Sequence, residues 1–210
     1  MKTGNLAAVI GLAVSVLFAA VGDTYRSYEE LKENVLRLHI IANSDSEEDQ
    51  RIKLEVRDRI AAQSEDIFGG CENREEILHR GWESLDIMEE TAQEVLTEGG
   101  FGYGAEASIE QTYFDTRYYG DITMPQGDYT ALKITLGEGK GHNWWCVMYP
   151  PLCLPCFTES EEDTDEILEK HSDVITEQEA EIMKDPESIE VRLYCAEIID
   201  RIVEYLKGDE

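Results

Sequence analysis

The stretch LRLHIIANSDSEEDQRIKLEVRD, from Leu36 to Asp58, changes its hydrophobic period in mid-course, and that change decides the fold. Leu36, Leu38 and Ile40 alternate with Arg37 and His39, the two-residue period of a half-buried strand, predicted over 34–42. Asn43, Ser44, Asp45 and Ser46 follow, offering side-chain oxygens to the orphan amides of a helix start, with Ser46 and Asp49 at capping-box spacing. Ile52, Val56 and Ile60 then recur at four-residue steps and carry a predicted helix to about Ile67, where Gly69 and Gly70 end it.

A second helix is predicted over 73–98, with Ile77, Trp82, Met88, Ala92 and Leu96 on its apolar stripe and Gly99 and Gly100 as its stop. Ala105, Ala107 and Ile109 alternate with Glu106, Ser108 and Glu110, a strand running through about Phe114. After a turn marked by Pro125 and Gly127, Leu132, Ile134 and Leu136 alternate again, and 143–149 forms a shorter apolar strand. The loop Gly137 to Gly141 joins these two. Residues 158–185 are almost purely acidic and polar, with Lys170 and Lys184 as their only positive charges, and read as a mobile or loosely helical connection. Pro186 then opens a helix whose face of Ile189, Leu193, Ile199 and Val203 has to dock on a core. The order of elements gives an α+β class: a mostly antiparallel sheet covered by helices on one face, with a C-terminal docking helix. The organisation expected is an export segment over 1–22, a main domain over 23–157, the acidic connection over 158–185 and the terminal helix over 186–210, packed on the main domain.

Charge removes whole classes of function. With 18 basic against 46 acidic side chains the net charge is -28, which repels nucleic acid and anionic lipid, both of which are bound through clustered Lys and Arg. A basic or neutral protein partner is the easier expectation. At the N-terminus, Lys2 followed by the uncharged apolar run Leu6 to Val21 reads as a signal peptide, with Ala20 to Gly22 placing cleavage before Asp23. That run is short against the roughly 20 residues that span a bilayer. The five cysteines, Cys71, Cys146, Cys153, Cys156 and Cys195, are an odd number for an exported chain, so at least one thiol has no intramolecular partner.

Candidate chemistry is sparse. Gly137 to Gly141 leads into a strand rather than a helix and matches neither phosphate-loop nor dinucleotide spacing, so a tight hairpin connection explains it. His142 and Cys146 could pair as base and nucleophile, but four residues along a strand separate them by about 13 Å. Cys153 and Cys156 have the C-x-x-C spacing of a zinc half-site without a good second half, while Cys146 with Cys153 could close the Pro150–Pro151 turn as a disulfide. Asp45, Glu47, Glu48 and Asp49 lack the glycine and the later Glu of a calcium loop and suit a helix N-terminus better. Trp144 and Trp145 face opposite sides of their strand, and an outward indole would be a binding hot spot. No cofactor and no metal is expected.

Arg37, Ala42 to Ser46, Asp49, Gln50, Lys53 and Val56 to Asp58, then Gly137 to Gly141, Asn143 to Cys146 and Pro150 to Cys153, follow a pattern that resembles the stage II sporulation protein R family, over about 31–153. The resemblance implies a signal and not a catalyst: a protein exported from the forespore into the space between the septal membranes, where it triggers a membrane-embedded aspartic-type protease that removes the pro-sequence of a mother-cell sigma factor. Exposed loops at strand ends carry function. Partner contacts are therefore expected on one surface made by the Asn43–Asp49 turn and the Gly137–Trp145 loop, at Asn43, Ser44, Asp45, Asp49, Glu138, Lys140, Asn143, Trp144 and Trp145, with Arg37 added from the family pattern. The alternatives are an exported cysteine-dependent hydrolase or thiol-redox protein using Cys146, and an acidic structural protein of the spore envelope.

Overall fold

In the computed structural model, the described residues are 25–119, 121–151 and 168–184, together with Ser15 and Gly22. Helix α1 (25–34) leads into β1 (Leu36–Ile41), followed by α2 (Glu47–Ala62), α3 (Ser64–Phe68), α4 (Arg74–Glu83) and α5 (Leu85–Glu98). Then come β2 (Ala105–Phe114), β3 (Arg117–Tyr119), β4 (Ile122–Met124), β5 (Gly127–Leu136), β6 (Asn143–Tyr149) and α6 (Glu177–Lys184).

The main sheet has the order β2-β5-β1-β6, and β3 and β4 form a separate two-stranded sheet. β1 runs parallel to β5 and antiparallel to β6, while β2 is antiparallel to β5. The α+β class holds, and two of the three pairings in the main sheet are antiparallel. Pairing in register puts Leu38 beside Leu132 and Ile40 beside Ile134 on the face that meets the helices. On that face Gly81 of α4 lies so close to Ile109 and Leu36 that an added Cβ would meet Ile109 Cδ1 at 3.1 Å. Ile52, Val56 and Ile60 of α2 join Met88, Ala92 and Leu96 of α5 in the same core. Each fully buried aliphatic side chain there is worth about 1.5–3 kcal/mol.

The second face is where sequence and structure part. β1 was expected to be half-buried, but Leu36 to Ile40 are all buried, because β1 is central and its Arg37 and His39 side is roofed by Phe114, Tyr119, Tyr129 and Trp145. The predicted helix over 73–98 is divided at Ser84, whose Oγ donates to the Gly81 carbonyl at 3.1 Å; a glycine and serine pair is a common origin of such a break. The helix predicted to reach Ile67 is divided at Gln63 into α2 and α3.

Part of the expected acidic connection is packed. Leu168, Val174, Ile175, Ile182 and Met183 are buried, as is Glu179, which accepts from Asn34 Nδ2 at 2.8 Å and from the Thr176 amide at 2.6 Å. These apolar positions are too widely spaced among acids to show as a stripe, yet with Glu179 satisfied they bring α6 against β4. The expected export segment, apart from Ser15 and Gly22, and the expected terminal helix over 186–210 lie outside the described residues. Among the described residues no helix is long and apolar enough to cross a membrane.

Candidate functional site

Where β1 ends, the chain makes a tight polar turn held by its own side chains. Ser46 caps α2, its Oγ accepting from the Asp49 amide at 3.1 Å, and the Ser46 amide donates to Ser44 Oγ at 3.1 Å. The capping box is therefore half made: Asp49 turns away from the cap and accepts instead from Asn43 Nδ2 (2.9 Å), Ser44 Oγ (2.5 Å) and Tyr103 Oη (2.5 Å). Burial pushes the Asp49 carboxyl up, but the hydrogen bonds from Ser44, Tyr103, Asn43 and Ser46 outweigh it and hold the group below its ordinary value. The Tyr103 hydroxyl is driven upward by burial and by the same carboxylate.

The β5–β6 loop lies directly on this turn. Gly137 and Gly139 both have φ 58°, the left-handed conformation that glycine takes at no steric cost. So bent, the loop donates the Lys140 amide to the Asn43 carbonyl (3.1 Å), the Gly141 amide to the Ala42 carbonyl (2.9 Å) and the Glu138 amide to Asn43 Oδ1 (2.9 Å). Asp45 Oδ1 accepts from the His142 amide at 2.6 Å and lies 2.5 Å from His142 Nδ1. Lys53 of α2, buried, donates to the His142 carbonyl (3.0 Å) and to Gln50 Oε1 (2.6 Å); burial lowers its pKa, with Asp45 opposing and Arg57 reinforcing. The approach is close enough that a Cβ on Gly141 would meet the Ser44 carbonyl oxygen at 2.2 Å.

Two segments almost a hundred residues apart thus form one hydrogen-bonded knuckle. It presents Asp45, Glu138, Lys140, His142 and Asn143 to solvent, with Asn43 and Ser44 half-buried between them. Arg37 and Asp49 are not on its surface: both are buried, Arg37 completely. The two indoles do point to opposite faces, and both are half-buried. Trp144 lies under the Arg57 guanidinium at 4.5 Å, and Trp145 stacks on His39 at 3.8 Å while meeting Phe114 edge-on at 4.7 Å. Asn143 reaches back to His39 Nε2 at 3.0 Å.

Cys146 is buried and disulfide-bonded, so it carries no thiolate for a cysteine-dependent hydrolase or thiol-redox reaction. Its expected partner Cys153 lies outside the described residues. The free thiol among the described residues is Cys71, buried and pushed upward by that burial. His142 is bonded to Asp45 and not to a nucleophile, and the Ser44 and Ser46 hydroxyls are engaged within the turn. Among the described residues no cluster of three or more His, Cys, Asp or Glu could hold a metal ion. Sequence reasoning missed Tyr103, Lys53 and Gln50 as supports of the knuckle; Tyr103 follows a Gly-rich turn with no periodic signal around it.

Fold and site together define an α+β sheet domain that displays a hydrogen-bonded, charged, two-loop knuckle. The sequence model of the stage II sporulation protein R family matches residues 32–162, and the chain belongs to this family. It is 34% identical over 131 residues to stage II sporulation protein R of Bacillus subtilis (strain 168), an alignment covering 62% of this chain and 58% of that relative. No solved structure matches.

Proposed function

We propose that this sporulation protein is an exported signal, passing from forespore to mother cell and activating a membrane-embedded aspartic-type protease that processes the mother-cell sigma-factor precursor. Membership of the stage II sporulation protein R family is the observation that carries this reading. The buried, disulfide-bonded Cys146 supports a role in binding over one in thiol catalysis. A signal of this kind acts by binding one state of its target more tightly than another, since a ligand shifts an equilibrium only through its differential affinity. A rigid knuckle suits that task because little conformational freedom is lost when it docks.

The test is co-expression of the full chain with the protease and the sigma-factor precursor. Precursor cleavage is expected only when this chain is present, and cleavage independent of it overturns the reading. Asp45→Ala and Glu138→Ala are expected to abolish cleavage while unfolding stays cooperative and near wild type. If cleavage merely follows a small loss of stability, the knuckle is structural and the partner surface lies elsewhere.

A further inference from the structure

At the other side of the sheet, β2 is an edge strand of ten residues. Its ladder with β5 runs without a register shift from Ala105 to Phe114. The Ala105 amide donates to Gln93 Oε1 (3.2 Å) and the Ala107 amide to Glu89 Oε2 (2.9 Å), so both point away from β5 and toward side chains of α5. With period two, the amides and carbonyls of Ile109, Gln111 and Tyr113 point the same way. Among the described residues no group takes those three amides. The knuckle loop begins at the near end of this strand, where the Gly137 amide donates to the Gly104 carbonyl at 2.8 Å.

Charge says what this edge would accept. Glu106 and Glu110 are exposed on β2, with Lys133 bonded to Glu110. Where α5 meets the start of β2 an open cleft of about 680 Å³ is lined by Asp86, Glu89, Glu90, Glu94 and Glu98, among others. A second copy pairing here would set these carboxylates against their own equivalents, which is unfavourable across a strand pair. We infer that the free edge of β2, at Ile109, Gln111 and Tyr113, pairs with an extended segment of a partner protein bearing Lys or Arg at alternate positions. Main-chain hydrogen bonds would hold the segment and the acidic rim would select its charge, as in other strand-addition complexes. Tyr113, 53% exposed, adds aromatic area at the far end. This inference rests on the reading that the chain acts by binding a protein.

A matched pair of variants isolates the backbone donor. Gln111→Pro and Gln111→Ala both lose the 2.8 Å bond from Gln111 Nε2 to Thr130 Oγ1, but only proline removes the outward amide, and proline is tolerated where an edge amide faces solvent. In the co-expression assay Gln111→Pro is expected to give about tenfold less cleavage than Gln111→Ala, at equal unfolding midpoints. Equal cleavage by the two variants overturns the proposal. Should Gln111→Pro fail to fold, the exposed substitution Glu106→Lys is read in the same way. A direct measurement separates this from the function itself: amide hydrogen exchange of the full chain with a synthetic alternating Lys–Val hexapeptide. Slowed exchange at Ile109, Gln111 and Tyr113, absent with an Asp–Val peptide, supports the edge even if wild type triggers no cleavage; unchanged exchange there overturns it.

Discussion

The two ends of β1 treat their polar groups in opposite ways. Beyond its C-terminal end the knuckle lies largely in solvent, yet backbone and side chains of Asn43, Asp45, Glu138 and His142 are bonded to one another. Near its N-terminal end Arg37 is fully buried and incompletely bonded. Its Nε donates to the Cys146 carbonyl (2.9 Å) and its Nη2 to Tyr119 Oη (3.0 Å), while Nη1 finds no partner among the described residues. Among the described residues it meets no carboxylate, in a chain with 46 acidic side chains. The rings of Phe114 (4.0 Å) and Tyr129 (4.8 Å) stand where a counterion would be. Burial lowers its pKa, with Tyr119 and Tyr129 opposing and Arg117 reinforcing. Among the described residues Arg117 Nε and His39 Nδ1, also buried, likewise find no partner. Hydrogen bonds fix a shape at the surface, whereas in the core a cation is held by aromatic faces and two bonds.

The largest loss of stability is expected at Arg37. Arg37→Ala leaves a cavity and strips partners from Tyr119 and the Cys146 carbonyl, so urea unfolding should show a loss of about 3 kcal/mol. Arg37→Met, which fills the space without a charge to desolvate, is expected to recover at least half of that. If the alanine variant is near wild type, the aromatic cage contributes nothing to stability.

At the knuckle the largest effect belongs to Gly141→Ala, because its Cβ would collide with backbone rather than a movable side chain. A loss of about 2 kcal/mol is expected. Amide exchange at Glu138, Lys140 and Gly141 should accelerate, and unchanged exchange would mean the loops are not locked.

Asp49→Asn follows, with about 1.5 kcal/mol lost at pH 7 as charge-assisted bonds become neutral ones. Since the folded-state carboxyl is held below its ordinary 3.8, its contribution is complete above that value and disappears as the pH falls through the lower folded-state value. Wild type and variant should therefore converge in urea midpoint on acidification. A constant gap would show that the charge is not what stabilises the turn. Smallest of all is Glu138→Ala, whose exposed pair with exposed Lys140 should leave the thermal midpoint unchanged; a measurable drop would mean that the pair helps hold the loop.

The legible parts of the sequence were those with a local signature. Ser46 marked the cap of α2, alternation placed β1, β2, β5 and β6, and adjacent indoles had to lie on opposite faces. Both loops were legible as strand-end loops, but the bonds between them were not, since Asp45 and His142 are 97 positions apart. Arg37 was misplaced because alternation distinguishes two faces without saying whether the polar one is covered. Its cover includes Tyr119 of β3, and the three-residue strands β3 and β4 are too short for any period to show.

The parallel pairing at the heart of the sheet bears on how the chain acquires its structure. β1 has neither neighbour until β5 and β6 exist, and the bond between Arg37 and Cys146 spans 109 positions. Closing loops of that length before any native contact rewards them puts folding in the slower, high-contact-order regime, roughly milliseconds to seconds. A nascent chain ending before β5 has helices but no main sheet to lay them on. Such a chain stays pliant for most of its emergence and sets only when its last strands arrive.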